Sequence, residues 1–225
     1  MKLIMENWKR FLNEGIHPKI QKQINKLLEL QDVGIVIRNL GLETVLSYMR
    51  ISKSLTRTEL TNYKGPGHGF MEITEAMPAG KDGKCLGGYI VRKIYVDETA
   101  GMGPLLYEVA LEWASKRSPG LAPDRSIVSA AAQPVWDIYA SRDDVFMRQM
   151  DADFIDEFDP PLVQLTSDDP DDDCYQAKSV EVAGSETDPT GKTGWVSSPL
   201  SKMYYKKNTA VMDALGDRLV DKTGG

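Results

Sequence analysis

Cysteine and histidine are both scarce: 225 residues hold two of each, Cys85 and Cys174, His17 and His68. Two cysteines far apart in the chain exclude both a disulfide scaffold and a Cys-rich zinc site, which points to a reducing compartment. Two histidines leave little basis for a Cys–His catalytic pair or a zinc centre. No apolar run approaches the ~18–20 residues of a membrane span. No collagen, coiled-coil or short tandem period is visible. The first residues lack the continuous apolar region and small-residue cleavage site of a secretory signal. Positive charge is also short: 27 Lys and Arg face 33 Asp and Glu, a net charge of −6, with a pI of about 5.1. That balance argues against general binding to a nucleic-acid backbone. The deficit is local. Between Asp143 and Asp173 stand Asp143, Asp144, Asp151, Asp153, Asp156, Glu157, Asp159 and the Asp residues of the 168–173 run, against Arg148 alone. The remainder is close to balanced and leaves room for one anionic ligand.

Periodicity supplies the elements. Leu3, Ile4, Trp8, Phe11 and Leu12 make one apolar stripe at helical spacing, stopped by Gly15. A second helix is predicted over Pro18–Gln31, with Pro18 at its first position and Ile20, Ile24, Leu27 and Leu28 on one face. The period then falls to two: strands are predicted at Gly34–Arg38, Thr44–Ile51, Phe70–Ala76 and Gly88–Val96. Gly103–Lys116 reads as a central helix, Ser126–Ser129 as a short strand, Ala130–Ser141 as a helix and Val145–Phe158 as an acidic helix. From 159 to 198 the Pro, Asp, Gly and Ser content indicates a long acidic loop. Tyr204–Lys207 is predicted as a returning strand and Thr209–Val220 as a last helix capped by Asn208. The order gives an α+β (mixed α/β) domain, a central, mostly antiparallel sheet flanked by helices. The expected organisation is a leader or N-terminal helix over 1–14, a core over 15–145, and a C-terminal extension over 146–225 holding the acidic loop and the terminal strand and helix.

One junction carries chemistry. A strand ending at Val96 feeds a turn with two glycines, Gly101-Met102-Gly103, and a helix begins at once. Backbone N–H groups at a helix start are unpaired and partly positive, and glycine lets a phosphate approach them. The geometry suits a pyrophosphate, and an ordinary strand-to-helix connection has the same pattern.

This stretch resembles the acyl-CoA-binding motif of the GNAT superfamily of N-acetyltransferases. In that family a central strand ends in a splayed turn, Arg/Gln-x-x-Gly-x-Gly/Ala, and the next helix receives the pyrophosphate of acetyl-CoA. Gly101–Ala114 is similar to that helix, Ser126–Ser129 to the following strand, and Ser129–Tyr139 to the family's Asn-x-x-Ala-x-x-Leu-Tyr helix. The resemblance covers roughly 17–145, with a last strand near 204. It implies a GNAT-like acyl-CoA N-acyltransferase fold that transfers an acetyl group from acetyl-CoA, as cosubstrate, to a small-molecule or protein amine. It places the cofactor at Val96, Gly101, Met102, Gly103 and Leu105. The general base is sought at Glu72, with Glu75 and His68 as further candidates, and the acid that protonates the leaving thiolate at Tyr139. Two positions depart from the pattern: Glu98 stands where the family has Arg or Gln, and Trp136 where it often has the acidic Tyr, with Tyr139 one helical turn later. Residues 1–14, ending Leu12-Asn13-Glu14, also resemble the capsid-targeting leaders of tailed phages of the T-even type. That resemblance implies a phage protein in the cytoplasm of a bacterial host, or packaged in a virion through contacts of residues 1–14 with head proteins. It also implies an alternative function, that of a catalytically inactive GNAT-fold virion or interaction protein.

Overall fold

The computed structural model describes residues 16–51, 69–76, 85–96, 101–124, 127–153, 165–166, 169, 172–175 and 192–223. The leader, His68 and Glu98 lie outside them. The strands are β1 (Val33–Leu40), β2 (Glu43–Arg50), β3 (Gly69–Glu75), β4 (Tyr89–Val96), β5 (Leu121–Ala122), β6 (Phe146–Gln149), β7 (Asp151–Asp153), β8 (Asp173–Tyr175), β9 (Lys202–Tyr205) and β10 (Leu219–Asp221). The helices are α1 (Pro18–Glu29), α2 (Gly103–Arg117), α3 (Gln133–Ser141), α4 (Lys192–Ser197) and α5 (Ala210–Leu215). The class is mixed α+β. Eight strands form a mixed sheet in the order β10-β1-β2-β3-β4-β5-β9-β6, and β7 and β8 form a separate ribbon.

The chain divides into two compact units, one of residues 1–73, 93–113 and 207–225, the other of 74–92 and 114–206. In the first, α1 starts where expected: Pro18 sits at the first turn and His17 accepts a hydrogen bond from the Lys19 N–H at 3.3 Å. Ile20, Ile24 and Leu27 are buried, while Leu28, expected on the same face, is 41% exposed. β1 and β2 pair antiparallel from Val33↔Arg50 to Leu40↔Glu43. Both faces of this hairpin are buried, so its strands read as near-continuous apolar runs. β10 adds to β1 in parallel, Ile35↔Leu219 to Ile37↔Asp221. The approach is so close that a Cβ on Gly34 would lie 2.3 Å from the Arg218 carbonyl oxygen. Arg218 in turn donates to the carbonyls of Leu30 (2.9 Å) and Val33 (3.0 Å). The expected helix over Thr209–Val220 therefore stops at Leu215: the pairing that β1 offers to Leu219–Asp221 outweighs helix propensity there.

α2 is buried all round from Leu105 to Ala114, not along one stripe. Its fully buried Glu112 has an identifiable partner. The carboxylate accepts the N–H groups of Val211 (3.2 Å) and Met212 (2.9 Å) at the start of α5, groups that a helix start leaves without intrahelical acceptors. Trp113 Nε1 donates to Asp221 at 3.0 Å.

The second unit departs most from expectation. The strand expected at Ser126–Ser129 lies earlier, at β5, which pairs parallel with β4 through Tyr89↔Leu121 and Ile90↔Ala122 only. Pro123 follows at once and has no N–H to extend the ladder. Ile127 is 67% exposed. Where an acidic helix is expected over Val145–Phe158, the described residues form β6 and β7 instead, residues 154–158 lying outside the described ones, and the expected loop contains β8 and α4. β9 begins two residues before the expected strand and lies antiparallel between β5 and β6. Trp136 and Tyr204 stack at 5.5 Å, and the Tyr204 hydroxyl donates to the Pro199 carbonyl at 2.6 Å.

The cysteines overturn the sequence reading. Cys85 and Cys174 form a disulfide with a Cα–Cα distance of 4.7 Å across 89 residues of sequence. Both are fully buried in a cluster with Ala76, Ile90, Ala122, Met150 and Met203. Distance along a chain does not restrict distance in space, so the spacing carried no information, and the inference of a reducing compartment loses its basis.

Candidate active site

β4 ends at Val96, and α2 begins at Gly103. Between them Gly101 has φ of +61°, a left-handed value that a side chain would strain. Two side chains from other elements hold this turn. Gln23 Nε2, on α1, donates to the Gly101 carbonyl at 2.6 Å. The Tyr48 hydroxyl, on β2, donates to the Met102 carbonyl at 2.8 Å. Burial holds the Tyr48 phenol well above its ordinary pKa, so it remains a donor at any ordinary pH.

In a planar trans peptide the C=O and the next N–H point in opposite directions. With the carbonyls of Gly101 and Met102 aimed at Gln23 and Tyr48, the N–H groups of Met102 and Gly103 point away from those side chains. Among the described residues nothing accepts from either. The third expected donor is occupied: the Leu105 N–H bonds to the Met102 carbonyl at 3.2 Å. Val96 lies against the turn, its Cγ2 3.7 Å from where a Cβ on Gly103 would be. Met102 and Leu105 are buried, Gly103 is half-buried and Gly101 is exposed.

The start of β3 adjoins the end of β4, since a Cβ on Gly69 would lie 3.1 Å from the Tyr95 carbonyl oxygen. Phe70 and Tyr95 stack at 6.2 Å, with the Lys93 ammonium 5.7 Å from the Phe70 ring centre. Glu72 follows on β3 at 6% exposure, a buried carboxyl group on an otherwise apolar stretch of the strand. Glu75 is exposed.

The turn and Glu72 belong to the first unit, Tyr139 to the second. Tyr139 is 2% exposed and packs edge-on against Trp136 at 5.9 Å. Tyr204 lies at 5.9 Å from its ring, and the Arg142 guanidinium sits over it at 5.6 Å.

Tyr48 and Gln23 escaped the sequence reading. Tyr48 fits the strand pattern as one more apolar position, and Gln23 lies on the polar side of α1. No local signal ties either to a turn more than fifty residues away. Among the described residues, no group of three or more His, Cys, Asp or Glu side chains is placed to hold a metal ion, and no helix is long and apolar enough to cross a membrane. Compared with known proteins, the chain matches no family profile, no curated protein and no solved structure.

Proposed function

We propose that the chain is a GNAT-like N-acetyltransferase that moves an acetyl group from acetyl-CoA to a small-molecule or protein amine. The observation that carries this reading is the turn at Gly101–Gly103. Its carbonyls are tied to Gln23 and Tyr48, which leaves two consecutive N–H groups directed away from those side chains at the start of a 15-residue helix. Such a pair suits the pyrophosphate of a CoA substrate. The short parallel pairing of β4 with β5, after which β4 runs on to Val96 with β3 at one edge and without β5 at the other, supports the same reading. In the reaction the amine nitrogen attacks the thioester carbonyl carbon and the C–S bond breaks. The amine proton passes to Glu72, directly or through water, and the departing thiolate takes a proton from a general acid, the role that the resemblance implies for Tyr139. Of the two described carboxylate candidates Glu72 is the buried one and Glu75 the exposed one, which supports Glu72 as the base.

The packing of Tyr139 favours a second reading. A tyrosine enclosed by Trp136, Tyr204 and Arg142 fits a structural role. The chain would then be an inactive GNAT-fold component of a phage virion or assembly, with residues 1–14 addressing head proteins. Titration calorimetry with CoA and acetyl-CoA, followed by thiol release with a panel of amines, separates the two. Binding with turnover, reduced about ten-fold or more by Tyr139→Phe, supports the enzyme. The absence of binding at millimolar CoA overturns it.

A further inference from the structure

We infer that the Cys85–Cys174 disulfide is a redox latch that holds the β7–β8 ribbon against the core of the second unit. Three observations converge on it. The ribbon is weak by itself: β7 and β8 pair parallel over only three residues, Asp151↔Asp173 to Asp153↔Tyr175. Two short strands are marginal in water without further packing. The disulfide anchors β8 covalently at its middle residue.

The partner side of the bond is strained. Cys85, Leu86 and Gly87 are consecutive left-handed residues, with φ of +41°, +59° and +64°. Two of the three carry side chains, for which this region is unfavourable and persists only where the surroundings enforce it. The bond to Cys174 is such an enforcement, and its loss frees the turn to relax.

The bond also lies in a space with no slack. Cys85, Cys174, Ala122, Met150 and Met203 are all fully buried in one cluster. Two thiols need more room than two bonded sulfurs, and a close-packed core does not supply it without movement. The rest of the unit does not depend on the bond in this way. β9 pairs with β6 over four residues, and Tyr204 is held by Trp136 stacking and by the Pro199 carbonyl. Reduction thus has a local consequence available to it.

The chemistry balances with a dithiol as co-reactant. Its thiolate attacks one sulfur, the S–S bond takes up two electrons and two protons to give two thiols, and the dithiol closes to its own disulfide. Because both sulfurs are buried, attack follows a local opening of the ribbon.

Amide hydrogen exchange on the full chain tests the latch, before and after dithiothreitol and again after reoxidation, with alkylation and intact-mass measurement to count thiols. The oxidised protein is expected to show no free thiol and the reduced protein two. On reduction the amides of Asp173–Tyr175 and Cys85–Gly87 are expected to exchange about ten-fold faster or more, while Met203–Tyr205 keep their protection. Reoxidation should restore the original pattern. The Cys85→Ser/Cys174→Ser protein should match the reduced one with no reductant present. Two free thiols in the oxidised sample, unchanged exchange on reduction, or equal loss of protection across β6 and β9 would each overturn the inference.

Discussion

The two units of this chain are held together in different ways. The first relies on regular pairing and on polar side chains, buried or half-buried, that meet backbone groups: the β1–β2 hairpin, the parallel addition of β10, Glu112 at the start of α5, Arg218 on two carbonyls. The second has strands of two to four residues at β5, β6, β7, β8 and β9, and joins distant segments by a covalent bond and an aromatic cluster. Long strands spread their stabilisation over many small contacts. Short strands concentrate it in a few, so single changes should weigh more in the second unit.

The largest expected effect is removal of the disulfide. Cys85→Ala with Cys174→Ala should lower stability to urea by about 2–5 kcal/mol, the usual range for a bond closing a long loop. Exchange protection should fall more in β8 than in β1 and β2. A loss of equal size in both units would break the contrast.

Next comes Glu112→Ala in the first unit. It strips one buried and one half-buried N–H group of their acceptor, and about 3 kcal/mol should be lost in urea denaturation. Glu112→Gln, which keeps one acceptor oxygen, should recover part of it.

Tyr48→Phe is smaller, about 1 kcal/mol for one buried hydrogen bond. It also bears on the turn. Calorimetry should show weaker CoA binding than in the parent protein, while Leu28→Ala, a change at an exposed position of α1, should leave binding unchanged.

The smallest effects are in pH, and they have opposite signs within the second unit. At Asp144 burial pushes the pKa up, but the hydrogen bond and charge of Arg142, with Lys206 beyond, outweigh it and leave the pKa lowered. A lowered carboxylate stabilises the fold above the ordinary value near 4 and loses that contribution as pH falls through the folded value. At Asp172 burial and the charges of Asp151 and Asp169 outweigh the Thr166 hydrogen bond and raise the pKa. Its contribution is complete below the ordinary value and is lost as pH rises through the folded one. Asp144→Asn should flatten the stability profile below pH ~4 and Asp172→Asn above it, both read from denaturation midpoints across pH.

The legibility of the sequence follows the same division. In the first unit, periodicity located α1, β1 and β2 to within a few residues, because each segment's pattern agrees with its environment. The exception there is β10, where a helical pattern yields to pairing with β1. In the second unit, β5 is too short to have a period, and β7 and β8 are three residues each, β7 with two aspartates and β8 with one, residues whose intrinsic preference is against strand. The Cys85–Cys174 pairing has no local signature. At the candidate site the Gly101–Gly103 turn was readable from its glycines and the following helix. The residues that hold it were not, since a hydrogen bond from Tyr48 or Gln23 is a long-range event written nowhere near the turn.

The interleaving of the units bears on how the chain is made. β1 is among the first described strands to be synthesised, yet its parallel neighbour β10 is the last. Glu112 likewise waits about a hundred residues for the α5 amides it accepts. The early hairpin therefore waits through the synthesis of residues 51–218 with the β1 edge that β10 takes unpaired, and that edge cannot be closed before residues 219–221 have left the ribosome. Such an edge is a template for pairing with other chains. The period between making β2 and making β10 is therefore when this protein is most exposed to aggregation and most in need of a chaperone.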